Sequence, residues 1–382
     1  MPTFPDHLCG DGPTNPFPGV RVLERRLNRD IPHQLGSNEG LDMPHRALRE
    51  HFGDAMAAHV YSYGDSEALG IRSRLAKQKQ IPPEAMLVDA GADSLLALSL
   101  RALTQSGDCV ISTAGTYPTF GYFARGHGCH LVELAYQEDV GWLAPDLSAL
   151  ARTAHAECAK LVYLANPDNP SGHLHDDDAV LALRRDLPAD CWLLLDEAYH
   201  DFREDADGEF GCRVLPGVIR VRTLSKAHGL AGLRVGYAIA EPETLAVMMK
   251  VRIHYAVSTL TQKAAEVVLD HPEEVQAHVN AVRERRERLA AHLSRLGADV
   301  LPSATNFVSL RMASAALAEQ VHKALLEEGM LISRPADPAL GHILRVTAVE
   351  DALVSGRLAT LEQALAQKGQ ALGQQVKKTV QK

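Results

Sequence analysis

The sequence carries no excess of positive charge, no paired-cysteine motif, no apolar run of membrane-spanning length and no internal repeat. Its formal net charge is −9, which argues against nucleic acid or an anionic membrane as a partner, since either would be met by a basic patch. The densest basic stretch, Arg283-Glu-Arg-Arg-Glu-Arg288, is mixed in sign. With Val282, Leu289, Leu293 and Leu296 it reads as a charged helix with an apolar stripe. Cysteine is sparse: six residues, none spaced Cys-x-x-Cys, several set in apolar segments. Such thiols suit reduced core positions and a cytoplasmic protein. The opening Met-Pro-Thr-Phe-Pro-Asp-His has no basic start followed by an apolar stretch, so no signal peptide is expected. No segment approaches the roughly 20 apolar residues that a bilayer helix needs.

What is present is the composition of a soluble globular chain. The 382 residues are 46% hydrophobic and 23% charged, and that length can hold two domains with sizeable cores. A Pro- and Gly-rich leader runs to about Gln34, followed by alternating helices and strands to about Arg252. That alternation is the signature of a mostly parallel sheet covered on both faces. Beyond it the pattern predicts a helix over 272–296, strands near Val300 and over Asn306–Arg311, and a helix over 316–328. Strands at Leu331 and Ile343–Thr347 and a helix over 350–366 follow. This grouping suits a smaller α+β domain. The expected division is a leader over 1–35 joining the small domain, a large domain over 36–253 and a small domain over 254–382.

The most informative stretch is Thr223-Leu-Ser225-Lys226-Ala-His-Gly-Leu-Ala-Gly-Leu-Arg234. It sets one lysine among glycines, hydroxyls and an arginine. A lysine amine attacks carbonyls when its surroundings disfavour the ammonium. Thr223 and Ser225 can donate to a phosphate, Arg234 can neutralise it, and the glycines let backbone approach closely. These are the parts needed to hold a phosphorylated aldehyde over a lysine, and pyridoxal 5'-phosphate is the cofactor that fits.

Other segments supply the rest of such a site. Cys191-Trp-Leu-Leu-Leu-Asp196 reads as a buried parallel strand ending in an acid, at the strand end where open α/β sheets hold ligands. A carboxylate there can pair with a protonated pyridine nitrogen, and Tyr199 can reach the ring's phenolic oxygen. Lys160-Leu-Val-Tyr-Leu-Ala-Asn-Pro-Asp-Asn169-Pro-Ser-Gly172 is a second strand running into a turn from which Asn169 can aim its amide. The His173-Leu-His175-Asp-Asp-Asp178 that follows is read as the acidic first turn of a helix, not as a metal site. In Val88-Asp-Ala-Gly91-Ala92-Asp93-Ser94 a strand turns through glycine into a helix, whose N-terminus would favour a phosphate. Tyr117 could stack on a cofactor ring.

Taken in order along the chain, these motifs resemble the class I/II aminotransferases of pyridoxal-phosphate fold type I, most closely the histidinol-phosphate aminotransferase group. The similarity runs from about Ser37 to about Ala366. It implies a large domain with a mostly parallel seven-stranded sheet flanked by helices, plus a smaller α+β domain. It also implies that Lys226 carries the cofactor, that Asp196 partners the pyridine nitrogen, and that Tyr199 and Asn169 share the phenolic oxygen. Ala92, Asp93, Thr223, Ser225 and Arg234 match the phosphate site, and Tyr117 matches the stacking aromatic. Arg345 matches the arginine that grips the substrate's α-carboxylate, and Arg334 one near the substrate phosphate. Asn38 is placed with them as substrate-binding. Tyr61 resembles a tyrosine that reaches across a dimer interface, implying a homodimer with shared sites.

The chain departs from the group in three places. Ser37-Asn38-Glu39-Gly40 lacks the usual following proline, His228 stands where an aromatic is usual, and the segment after Arg345 lacks its usual glycine. The activity so implied moves an amino group between an amino acid or histidinol phosphate and a 2-oxo acid such as 2-oxoglutarate. An aminotransferase for aromatic or other amino acids, or a related decarboxylase, shares the same cofactor residues. A non-catalytic cofactor-binding domain would usually come with a DNA-binding module, for which the leader has neither room nor charge.

Overall fold

The computed structural model describes residues 24–366, apart from 25, 37, 39–41, 45, 53–62 and 207. Seven strands form one sheet: Met86–Asp89 (β1), Cys109–Thr113 (β2), His130–Leu134 (β3), Leu161–Ala165 (β4), Trp192–Asp196 (β5), Val218–Thr223 (β6) and Gly236–Ile239 (β7). Their order is β1-β7-β6-β5-β4-β2-β3. Pairing is parallel except at β7, which runs antiparallel to both neighbours. The expected seven-stranded, mostly parallel sheet is present. β4 and β6 are buried at every position, as strands covered by helices on both faces must be. One face packs Leu95, Leu96 and Phe120 against Tyr163 and Leu194, and the other packs Leu150, Val180 and Leu183 against Val162 and Leu193.

Local chemistry sets the helix starts. Asp146 and Asp176 cap their helices by accepting from the backbone N–H groups of Ala149 and Ala179, and Asp177 and Asp178 complement the dipole of the helix Asp177–Asp186. That is the outcome read from the acidic run after His175.

The C-terminal part builds an antiparallel sheet of Asp299–Leu301 (β8), Phe307–Arg311 (β9) and Ile343–Thr347 (β10). Its core joins Val308, Leu310, Leu344 and Val346 to Leu317, Val321 and Leu325 of the helix Ala315–Glu327. The leader segment enters here: His33–Gln34 pairs in parallel with Met330–Leu331, and Leu35 lies in the same core. Packing is continuous across residues 253 and 254. Val257, Ala265 and Val268 share a cluster with Ile71 and Leu75, and the long helix Pro272–Arg295 sends Val275 and Val279 to that cluster and Leu289 and Leu293 to the C-terminal one. The predicted helix over 350–366 is instead a short 3-10 turn at Glu350–Leu353 followed by helical residues 355–366. Arg285 and Arg286, read as part of a charged helix with an apolar stripe, are buried. Arg285 bonds Ala348 O and pairs with Asp42 and Glu350, and Arg286 donates to Thr305 O.

Candidate active site

A cavity of about 760 Å³ opens beyond the carboxyl ends of β1, β2, β4, β5 and β6, bounded on the other side by residues 331–337 and by Arg345 of the C-terminal sheet. Asn38, Ala92, Asp93, Tyr117, Asn169, Asp196, Tyr199, Thr223, Ser225, Lys226, Arg234, Arg334 and Arg345 all line it. Segments far apart in the chain therefore meet where open α/β sheets hold ligands. Tyr61 lies outside the described residues.

Lys226 follows β6 and is half-buried. Its place is fixed from both sides, since Leu224 and Ala227 are core residues. Leu224 N donates to Val235 O at 3.1 Å and Leu230 N to Leu224 O at 3.0 Å. Beneath lies Asp196, fully inside the protein, accepting from the Tyr163 hydroxyl at 2.8 Å and from Ala198 N at 3.1 Å. Burial pushes its carboxyl up to about 6, with the two hydrogen bonds working against that shift. A neighbouring cation would favour the ionised form further.

The mouth of the cavity near β1 is shaped for an anion. The helix Ala92–Leu103 starts after Gly91 (φ 85°) with no side-chain cap, so its first N–H groups face outward. A Cβ on Gly91 would sit 2.8 Å from Arg234 Nη2, and one on Gly236 would sit 2.8 Å from Ala92 N. Both glycines keep this cradle open. Arg234 lies 3.4 Å from Asp93, whose carboxylate also accepts from the Tyr117 hydroxyl at 2.8 Å. The Thr223 hydroxyl donates to Ser225 Oγ at 2.9 Å and accepts from Ser225 N at 3.1 Å.

On the opposite wall, Arg345 of β10 is buried and has no acidic partner among the described residues. Its Nη1 donates to Asn169 Oδ1, its Nη2 to Gly36 O at 2.8 Å, and its guanidinium lies 4.9 Å from the centre of the Phe307 ring. Its Nε has no partner among the described residues. Burial lowers its pKa, with Tyr199 and Tyr117 working the other way. A buried cation without a counter-charge is costly, and a ligand carboxylate would supply the missing partner.

Asn38, read as a substrate contact, lines the same cavity. Its Nδ2 donates to the Tyr199 hydroxyl at 2.9 Å and its Oδ1 accepts from Thr347 Oγ1 at 2.8 Å. It touches the cavity while its amide is engaged by protein. Arg334 donates from Nε to Gly341 O at 3.0 Å and stands 3.9 Å from Glu319.

Sequence reasoning missed the network beside Asp196. Glu197 is fully buried and takes Arg220 through Nε and Nη2 at 3.0 and 2.7 Å, and Arg222 at 2.9 Å. Burial opposes its ionisation, but the two guanidiniums overcome that and hold its carboxyl well below the usual range. Stability from such a depressed acid is present above its unfolded pKa and lost as pH falls through the folded one. Glu197→Gln is therefore expected to lower stability by about 3–5 kcal/mol at pH 7, because it strands two buried cations. Denaturant titration at pH 7 and pH 4 checks this, and the gap should narrow at the lower pH.

Comparison with known proteins agrees with this geometry. Residues 31–357 match the family model "Aminotransferase class I and II". A histidinol-phosphate aminotransferase of Anaeromyxobacter sp. is 32% identical over 354 residues, covering 91% of this chain and 94% of the relative. An aromatic amino acid aminotransferase of Corynebacterium efficiens is 34% identical over 302 residues, covering 78% and 85%. The crystal structure of histidinol-phosphate aminotransferase from Sinorhizobium meliloti, in complex with pyridoxal-5'-phosphate, superposes with a TM-score of 0.85 at 32% identity, covering 94% of this chain and 96% of that one. The chain belongs to the class I and II aminotransferase family. Its activity is amino-group transfer.

Proposed function

We propose that the protein is a pyridoxal 5'-phosphate-dependent aminotransferase acting on an L-amino acid or on histidinol phosphate, with a 2-oxo acid such as 2-oxoglutarate as the second substrate. The observation that carries the reading is one cavity holding Lys226, the buried acid Asp196 and, across from them, the buried and unbalanced Arg345. The donor set fits the cofactor. The open cradle at Gly91 and the helix start at Ala92 and Asp93, with Thr223, Ser225 and Arg234, would hold its phosphate. Asp196 would face its ring nitrogen, Tyr199 and Asn169 its phenolic oxygen, and Tyr117 its ring face. When bound, the cofactor supplies an aldehyde that accepts the amino group and a ring that draws electrons from the substrate's α-carbon.

The residues of the chain do the rest. Lys226 Nζ would hold the aldehyde and, as a free amine, would take the proton from the substrate's α-carbon. Asp196 would keep a negative charge facing the ring nitrogen. Arg345 grips the carboxylate, its fork oriented by Asn169 and Gly36. Binding of two substrates in turn to one cavity gives ping-pong kinetics.

We further propose a homodimer in which Tyr61 reaches the partner's site, and a division into a leader, a large cofactor-binding domain and a small C-terminal domain. Exposed apolar residues support the dimer: Tyr63, 84% exposed, stacks at 4.9 Å on Tyr255, with Leu69 and Ile253 also exposed. Such side chains suit an interface better than solvent. Among the described residues no helix is long and apolar enough to cross a membrane, and the reduced cysteines suit a cytoplasmic enzyme.

The names of the two curated relatives favour histidinol phosphate and aromatic amino acids as donors to try first. Initial rates with histidinol phosphate, phenylalanine and other donors, at fixed 2-oxoglutarate, test the reading. Conversion of the cofactor to its stable amine form is expected, and carbon dioxide release would point to a decarboxylase. Arg334→Ala is expected to raise KM for a phosphorylated donor by about tenfold or more while changing a neutral donor less than about twofold. Equal losses on both would remove Arg334 from phosphate recognition.

A further inference from the structure

Asp168 has no part in the roles above, yet it lies between two segments that carry site residues. It is 0% exposed. Its carboxylate accepts from Thr116 Oγ1 at 2.8 Å, from the Tyr136 hydroxyl at 3.1 and 3.0 Å, and from Ser171 Oγ and N at 2.6 and 3.1 Å. Burial pushes this carboxyl above its usual range, and the hydrogen bonds from Ser171, Thr116 and Tyr136 oppose the shift. An acid so placed is costly unless each of its oxygens is satisfied.

The arrangement joins three pieces of chain. Thr116 precedes Tyr117, Asn169 follows Asp168, and Tyr136 comes from a hairpin that does not line the cavity. Asn169 Oδ1 in turn accepts from Arg345 Nη1, one of two hydrogen bonds that fix that guanidinium. We propose that Asp168 is a positioning residue for the substrate's carboxylate, setting the fork of Arg345 by holding the Asn169 turn against the Thr116–Tyr117 loop. A bidentate grip depends on the plane of the guanidinium, so a small rotation of Asn169 weakens carboxylate binding without touching the reacting atoms. The proposal rests on the reading of Arg345 as the carboxylate's partner.

The test uses the cofactor-loaded full chain carrying Asp168→Asn, Asn169→Ala or both. Glutarate, a dicarboxylate lacking the oxo group, is titrated calorimetrically, and KM and kcat for 2-oxoglutarate are measured alongside. Asp168→Asn is expected to weaken glutarate binding about tenfold and to raise KM by a similar factor, with kcat changed less than about threefold. In the Asn169→Ala background the same change should add less than about twofold, because both act through one contact. Effects that multiply in the double variant, or a fall in kcat with KM unchanged, would overturn the proposal. Tyr136→Phe removes one donor and no charge, so it keeps the test open if Asp168→Asn does not fold. It should weaken glutarate about threefold, and unchanged binding would count against the proposal. If the unaltered protein binds no glutarate, the reading of Arg345 fails and this proposal with it. Binding in the unaltered protein with multiplicative losses overturns the positioning role alone.

Discussion

Alanine in place of Lys226 is expected to lower transamination at least about ten-thousand-fold and to remove the visible absorption of cofactor bound to lysine, with the fold unchanged. The size of the effect follows from the two jobs proposed for one amine, anchoring the aldehyde and moving the α-proton. Lys226→Arg should lose as much, since a guanidinium keeps the charge and is neither nucleophile nor base at neutral pH. The fold should survive because the turn is held by its neighbours: Leu224 and Ala227 remain buried, and Gly229 N still reaches the carbonyl of residue 226 at 3.2 Å. Absorbance spectra and single-turnover rates of the purified variants check this. A retained visible band, or activity above about one per cent of the unaltered enzyme, would move the cofactor's attachment to another side chain.

The loop that bears Lys226 was legible in the sequence because its chemistry is local. Hydroxyls, glycines, lysine and arginine fall within Thr223–Arg234, and their spacing alone suggests a phosphate beside an amine. β4 and β5 were legible for a similar reason, since strands buried on both faces appear as unbroken apolar runs. β6 shows where local reading stops. Val-Ile-Arg-Val-Arg-Thr alternates as a half-exposed strand would, yet all six positions are buried. The explanation is Glu197, a carboxylate on the neighbouring strand's exit that pairs with both arginines, and no local pattern announces it.

Asn38 is a related case. The family register placed it with the substrate-binding residues, while its hydrogen bonds to the hydroxyls of Tyr199 and Thr347, distant in sequence, had no local signal. Arg345 could be matched by register. Its lack of a counter-charge among the described residues, which gives that match its chemical force, is visible only once β10 and the Asn169 turn are packed together. The antiparallel place of β7 between β1 and β6 is likewise a matter of long-range pairing.

Asp196→Asn is expected to lower kcat on the order of a hundredfold to a thousandfold, with the cofactor still bound through Lys226 and the phosphate cradle. Asparagine keeps the shape of the side chain, and the Tyr163 hydroxyl can turn to accept from the new amide. What would disappear is the negative charge proposed to keep the ring nitrogen protonated and the ring able to draw electrons. The same substitution has an opposite consequence in the cofactor-free protein. Burial raises this carboxyl from 3.8 to about 6, so folding takes up a proton between those values. The stability that Asp196 subtracts therefore grows as pH rises through that window and is complete above it. Asparagine, which never ionises, escapes the penalty. The stability of the variant relative to the unaltered protein should rise by about 2–3 kcal/mol between pH 4 and pH 8. Denaturant titrations of both proteins without cofactor read that difference directly. A difference that stays flat would mean that Asp196 is solvated in the free enzyme. Full activity in the loaded variant would mean that the ring nitrogen has another partner.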